Sequence, residues 1–203
     1  MTPGPNKIIK TAVTGLLVKI ATINSGNTFG ARFWTDGKRE APMLPDQPRL
    51  RCHPDNGELF WTDECVEIAV EEPWKASNDY ADTPFAKEPS IEDYRRALDT
   101  DLVASHEKEQ YVRIRLWWAT NDPVRQGETN APTDRDNLLK LLTLLDDSDP
   151  NQRLMAAEVC RELGNFDHAS ALLKFHFPKG YDHAVNFIKK LNEQKDFIVR
   201  ELA

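Results

Sequence analysis

Residues 153–173 read RLMAAEVCRELGNFDHASALL, and this stretch decides how the C-terminal half of the 203-residue chain is built. Ala157, Cys160 and Leu163 recur at helical spacing on one face. Gly164-Asn165-Phe166 then interrupts the helix, and Ala169, Leu172 and Leu173 begin a second apolar face. Just upstream, Asp149-Pro150-Asn151-Gln152 supplies a capping carboxylate, a proline at the first helical position and a glutamine three residues past the cap. Working outward, Thr133 is expected to cap a helix carrying Leu138, Leu139, Leu141, Leu142 and Leu145, after a loop over 121–132. A helix over 107–120 places Tyr111, Ile114 and Trp118 on one face, and Ser90-Ile91-Glu92-Asp93 reads as a capping box that opens another. Toward the C-terminus, Gly180-Tyr181-Asp182-His183-Ala184 echoes Phe166-Asp167-His168-Ala169. It opens a further helix through Val185, Ile188 and Leu191.

The corner at Ala157, Gly164, Phe166 and Ala169 resembles a tetratricopeptide-type helical hairpin. In that family small residues let two antiparallel helices approach closely, and a glycine followed by an aromatic makes the turn. The echo comes 15 residues later, at Tyr181, and not at the usual interval of about 34 residues, so it is the start of a helix and not a full repeat. The resemblance covers residues 134–203, and it implies a protein-binding scaffold.

The N-terminal half has a different texture. Ile9, Ala12, Val13, Leu16, Leu17 and Ile20 predict a helix over 7–24, with β-branched Val13, Val18 and Ile20 and a mid-run Gly15 opposing it. Beyond it, Thr35-Asp36-Gly37-Lys38 is a hairpin signal. Pro42, Pro45 and Pro48 keep the chain extended, and Pro54-Asp55-Asn56-Gly57 separates Leu50-Arg51-Cys52 from Leu59-Phe60-Trp61. Residues 28–70 therefore read as a small, turn-rich β unit. The order Trp34-Thr35-Asp36-Gly37, Met43-Leu44-Pro45, Cys52 and Phe60-Trp61 is similar to the start of a group of uncharacterised bacterial proteins that carry a Cys-x-x-Cys knuckle. Here the second knuckle position is Asp55, so the resemblance implies a degenerate zinc ribbon and brings no activity with it. The expected fold is α+β, the β unit being packed with a mainly α-helical, tetratricopeptide-like array. Residues 1–72 form the first part, 73–90 a linker and 91–203 the helical domain.

The composition is that of a soluble globular protein: 40% hydrophobic, 29% charged and net charge −7. The charge is uneven, +3 over residues 1–60, −9 over 61–110 and −1 over 111–203. Acidity disfavours general attraction to nucleic acid or anionic membranes. The run from Ile8 to Ile23 is interrupted by Lys10 and Lys19, so it makes neither a secretory core nor a span of about 20 apolar residues. Three widely spaced cysteines, Cys52, Cys65 and Cys160, suit a reducing compartment, and the expected location is cytoplasmic.

Candidate chemistry is sparse. A zinc ion needs about four converging ligands, and Cys52, His53, Asp55 and Cys65 are the local cluster. Adjacent Cys52 and His53 rarely reach one metal, so the favoured reading has no metal and no cofactor, the unit being held by Phe33, Trp34, Phe60 and Trp61. Asp167-His168 and Asp182-His183 are no chelates, because helix neighbours point about 100° apart; both aspartates are expected to cap helix starts. Arg113-Ile114-Arg115-Leu116-Trp117-Trp118 mixes arginine and aromatics as nucleic-acid surfaces do, but Glu107, Glu109 and Asp122 flank it. The favoured reading there is a buried tryptophan with arginine paired to the acidic stretch. No G-x-S-x-G, H-E-x-x-H, P-loop or dinucleotide fingerprint occurs.

The expected function is therefore that of a non-enzymatic protein–protein interaction module or adaptor, with a partner protein of basic character and neither nucleic acid nor membrane as partner. Glu67, Glu71, Glu72, Asp79, Asp82 and Trp74 are the candidate docking residues, since charge complementarity speeds and orients association. The alternatives are an immunity-type inhibitor of a basic toxin, and a zinc-dependent enzyme or zinc-stabilised nucleic-acid binder.

Overall fold

In the computed structural model, which describes residues 1–72, 74–75, 78–128 and 133–202, the segment expected as a helix over 7–24 is a β-hairpin. Strands β1 (Thr2–Pro3) and β4 (Ile23–Ser25) flank an antiparallel pair, β2 (Asn6–Lys10) and β3 (Leu17–Ile20), in which Ile8 faces Lys19 and Ile9 faces Val18. The apolar residues satisfy a helical period, but a distant carboxylate settles the matter. Glu58 accepts hydrogen bonds from the backbone N–H groups of Val13 and Thr14, both at 3.3 Å, and from the hydroxyls of Thr11 and Thr14. It thereby pins the turn in which Gly15 takes φ 71°. Partial burial alone would raise the Glu58 carboxyl, but the donors from Thr14, Thr11 and Val13 outweigh it and hold the group below its ordinary value.

Farther on come β5 (Arg32–Phe33), β6 (Arg39–Glu40), β7 (Leu50–Cys52), β8 (Leu59–Trp61) and β9 (Val66–Glu71). Strands β7 and β8 pair across the expected turn. β9 returns antiparallel to β2, giving a three-stranded sheet in the order β3-β2-β9. Ile9, Val18 and Phe60 form its core with Ile20, Cys65 and Ala86 packed against them. Residues 84–87, within the expected linker, run along this unit: Lys19 N–H donates to Pro84 O at 2.8 Å and Cys52 N–H to Lys87 O at 3.0 Å. Helix α1 (Ile91–Leu98) starts at Ser90 with both halves of the capping box formed, and its Tyr94 and Ala97 are buried.

Among the described residues five further α-helices follow: α2 (His106–Arg125), α3 (Arg135–Leu144), α4 (Pro150–Glu162), α5 (Phe166–Leu173) and α6 (Asp182–Glu193). The architecture is thus mixed α+β, a small sheet-rich N-terminal part and a helical C-terminal part. Helix α2 outruns its expected end at 120 and carries Pro123 near its last turn, so 121–125 are helical and not loop; residues 129–132 of that expected loop lie outside the described residues. The cap of α3 is Asp134, whose carboxylate accepts from Asn137 N–H, and not Thr133. Asp149 caps α4 as expected. Asp167 and Asp182 lie inside first turns, the cap positions being Asn165 and Tyr181, because the turn geometry puts the residue after each glycine at the cap.

Helices α4 and α5 form an antiparallel hairpin. Cys160 and His168 meet near the corner, at 3.5 Å, while Arg153 at the far end of α4 donates to His176 O at 2.7 Å. Ala156, Ala157, Cys160, Ala169, Leu172 and Leu173 form the hairpin core, continued by Val185 and Ile188 of α6. Trp117, Leu138, Leu141 and Val159 form a second cluster that joins α2 and α3 to α4. Gly164 makes the corner at φ 78°, a conformation that side chains with a Cβ resist, and no atom lies within 4 Å of an added Cβ. Gly164→Ala is therefore expected to cost about 1 kcal/mol by backbone strain alone, read as a lower urea midpoint with an unchanged slope.

The chain divides into two compact units, Met1–Ala31 with Glu40–Leu102, and Arg32–Arg39 with the chain from Val103 onward. This groups α1 with the strands and residues 32–39 with the later helices, unlike a division at 73–90. The C-terminal segment explains the second grouping. Thr35 N–H donates to Arg200 O at 2.9 Å, Leu202 N–H to Phe33 O at 2.7 Å, and Arg32 pairs with Glu201 at 2.9 Å.

Candidate protein-interaction surface

β9 is the end strand of its sheet, and among the described residues no further strand pairs with it. Its sequence, Val66-Glu67-Ile68-Ala69-Val70-Glu71, is rich in β-branched residues, as a strand requires. Those residues are not covered. Val66 is 63% exposed, Ile68 45% and Val70 50%. An end strand presents a row of backbone N–H and C=O groups able to pair with another chain, and natural sheets blunt such edges with charge or bulges. Here the register shifts opposite Ile8 and Ile9, and Glu67 pairs with Lys7 at 2.9 Å with both side chains about half exposed.

Of the candidate docking residues, Glu67, Glu72, Asp79 and Asp82 lie at the surface, and Trp74 is 75% exposed. Glu71 does not belong with them. It is buried and pairs with the equally buried Lys19 at 3.1 Å. Pairing with β2 sets Glu71 opposite Asn6 at the end of β9, and the side chain of Lys19, two strands away, reaches its carboxylate. Composition marks Glu71 as one more acid of the stretch; strand order makes it interior.

Three of the candidate metal ligands, Cys52, His53 and Cys65, make contacts with backbone groups. His53 is buried, its Nδ1 accepting from Asp55 N–H and its Nε2 facing Leu17 O, both at 3.3 Å. Cys52 Sγ lies 3.6 Å from His53 O and Cys65 Sγ 3.3 Å from Trp61 O. Burial, aided by the Asp93 carboxylate, pushes the Cys52 thiol up. Burial likewise raises Cys65 against an opposing hydrogen bond from Ala12. Among the described residues no group of three or more His, Cys, Asp or Glu side chains is placed to hold a metal ion. His168 touches Cys160, whose thiol burial raises to about 11, and His183 lies beside Phe187.

The arginine–tryptophan stretch of α2 turns largely inward. Arg113 pairs with Glu109 at 2.6 Å, Arg115 lies over the Tyr111 and Trp118 rings, and Trp117 is buried. These residues border a polar network that sequence reasoning missed. Asp36, buried in the turn of 32–39, pairs with Arg125 and accepts from Asn121 Nδ2 at 3.0 Å. Asn121 also donates to Glu162, as does Trp117 Nε1 at 2.8 Å. On the same helix as Glu162, Arg161 and Glu158 form a fully buried double hydrogen bond at 2.8 and 2.5 Å, and Arg161 further donates to Ile198 O at 2.9 Å. Burial first, then the charges of Glu158 and Asp36, hold the Glu162 carboxyl well above its ordinary range, despite the donor from Trp117 and the charge of Arg161. The available signal was Glu158, Arg161 and Glu162 interleaved with Ala157, Val159 and Cys160, a helix with no dispensable polar face.

No protein-family model matches the chain, and neither a curated protein nor a solved structure is significantly similar to it. Among the described residues no helix is long and apolar enough to cross a membrane.

Proposed function

We propose that the chain is a cytoplasmic, non-enzymatic protein-interaction module or adaptor whose docking face is the β9 edge with its acidic surroundings. One observation carries this reading: the end strand β9 leaves Val66, Ile68 and Val70 exposed, with Glu67 within the strand and Glu72 just past its end also at the surface. Exposed apolar residues grouped on one element and rimmed by polar ones mark interaction sites, and a net −9 over residues 61–110 favours a basic partner. The α4–α5 hairpin, read as tetratricopeptide-like, fits the same role, since that resemblance implies a protein-binding scaffold, and the strand unit is read as a zinc ribbon without its metal.

The test is retrieval of partners from the source cells with the wild-type chain and with a Glu67→Lys, Glu72→Lys, Asp82→Lys variant. These residues are at the surface, so the variant is expected to fold. A stoichiometric partner retrieved by the wild type is expected to fall at least about tenfold with the variant, since like charges across an interface repel. Equal retrieval by both would remove the electrostatic docking face.

A further inference from the structure

We propose that Glu162 is a resident proton site that latches the segment 196–202, so that loss of its proton frees this segment from the helices. The surrounding charges supply the first argument. Three buried carboxylates, those of Asp36, Glu158 and Glu162, share the interior with the buried guanidinium groups of Arg125 and Arg161. Arg125 pairs with Asp36 and Arg161 with Glu158. Among the described residues Glu162 has no cation of its own and accepts from Trp117 and Asn121, the second of which also donates to Asp36. The other charged groups nearby are already matched: Asp122 of α2 takes Lys38 and Arg125, Asp196 takes Arg200, and Arg135 of α3 donates to Leu163 O at 3.2 Å. A buried carboxyl without a cation is held neutral, because an unpaired charge in a dry interior costs far more than a bound proton.

The segment itself supplies the second. Of residues 196–202 only Val199 is buried, so little apolar surface holds it down, and it can open without the rest of the unit. Its anchors are polar and adjoin the surroundings of Glu162. Arg161, the residue before Glu162, donates to Asp196 O and, at 2.9 Å, to Ile198 O. Thr35, the residue before Asp36, donates its N–H to Arg200 O at 2.9 Å, and its hydroxyl accepts from Arg200 N–H at 3.1 Å. An ionised Glu162 draws the Arg161 guanidinium away from those two carbonyls and repels Asp36, whose neighbour holds the other end. Opening the segment in turn admits water to Arg161, and water is what an ionised Glu162 needs. Release and deprotonation therefore favour each other, and each pH unit shifts the open fraction by as much as about tenfold.

The experiment follows amide hydrogen exchange of the full chain, labelled with nitrogen-15, with rates corrected for the intrinsic effect of pH. The series runs from 4.5, the ordinary value of the group, to about pH 9, where the most perturbed buried glutamates ionise. Protection of the Thr35, Arg200 and Leu202 amides is expected to fall by up to about tenfold per pH unit once Glu162 ionises, and to be unaffected by low urea. The Leu172 and Leu173 amides of α5 are expected to keep much higher protection, which urea lowers because they exchange through global unfolding. In Glu162→Gln the protection of Thr35, Arg200 and Leu202 is expected to be level across the series. Level protection of these three amides in the parent overturns the latch. A segment that matches α5 in both protection and urea dependence overturns it too, because the chain then opens only as a whole; both of these outcomes need the parent alone. An unchanged pH profile in Glu162→Gln also overturns it, since another group would then hold the proton.

Discussion

Replacing Arg125 with alanine is expected to destabilise the helical unit by about 3–5 kcal/mol, because it leaves a buried carboxylate without its partner. The Asp36 side chain is wholly buried and that of Arg125 only 1% exposed. The guanidinium also donates to Trp118 O and to Asp122, both at 2.7 Å, and its carbon lies 5.3 Å from the Trp34 ring centroid. Truncation therefore removes a charge pair, two further hydrogen bonds and a ring contact together. Since a domain holds only about 5–15 kcal/mol in total, the variant is expected to be largely unfolded at moderate urea concentrations that the parent survives. A loss below about 1 kcal/mol in urea denaturation would mean that water reaches Asp36 and that the network is not the interior it is described as.

Glu162→Gln is expected to remove a pH dependence that the parent shows above the ordinary carboxylate range. Glu162 has a folded-state value well above 4.5, so between 4.5 and that value the native chain binds a proton the unfolded chain has released. Its contribution to stability is complete below about 4.5, declines by as much as about 1.4 kcal/mol per pH unit as pH rises, and is gone above the folded value. Glutamine keeps the volume and an acceptor for Trp117 and Asn121 without the ionisation. The stability of the variant relative to the parent is therefore expected to grow as pH rises above the ordinary carboxylate range. Asp196 acts at the other end: its hydrogen bond from Ile198 and its contact with Arg200 outweigh partial burial and hold it low. Its contribution is present above about 3.8, its ordinary value, and is lost as pH falls further, outside the Glu162 window. Parallel pH profiles for parent and variant would show that Glu162 ionises freely in the native chain.

What the sequence makes legible is local. Ser90 with Asp93, and Asp149 with Pro150, announce helix starts because the capping partners lie three residues apart. Gly164 announces a corner because its backbone conformation is intrinsic to glycine. The hairpin over 6–20 is misread because Ile9, Ala12, Val13, Leu16 and Ile20 fit a helical period, while the carboxylate that pins the turn, Glu58, reaches Thr11 from 47 residues away. Asp36 and Arg125 are 89 residues apart, and nothing near either announces the other. The proposed docking face divides the same way. Its acidity is plain from composition, whereas the end position of β9 and the burial of Glu71 follow from pairing with β2, a contact between distant parts of the chain.

The most direct test of the interaction module is native mass spectrometry of the material retrieved in the charge-reversal comparison, drawn from the source cells without added metal. The account predicts the mass of the chain plus a stoichiometric basic protein, reduced to the bare chain by the Glu67, Glu72 and Asp82 reversals. The same companion on both chains, or no companion on either, would contradict it.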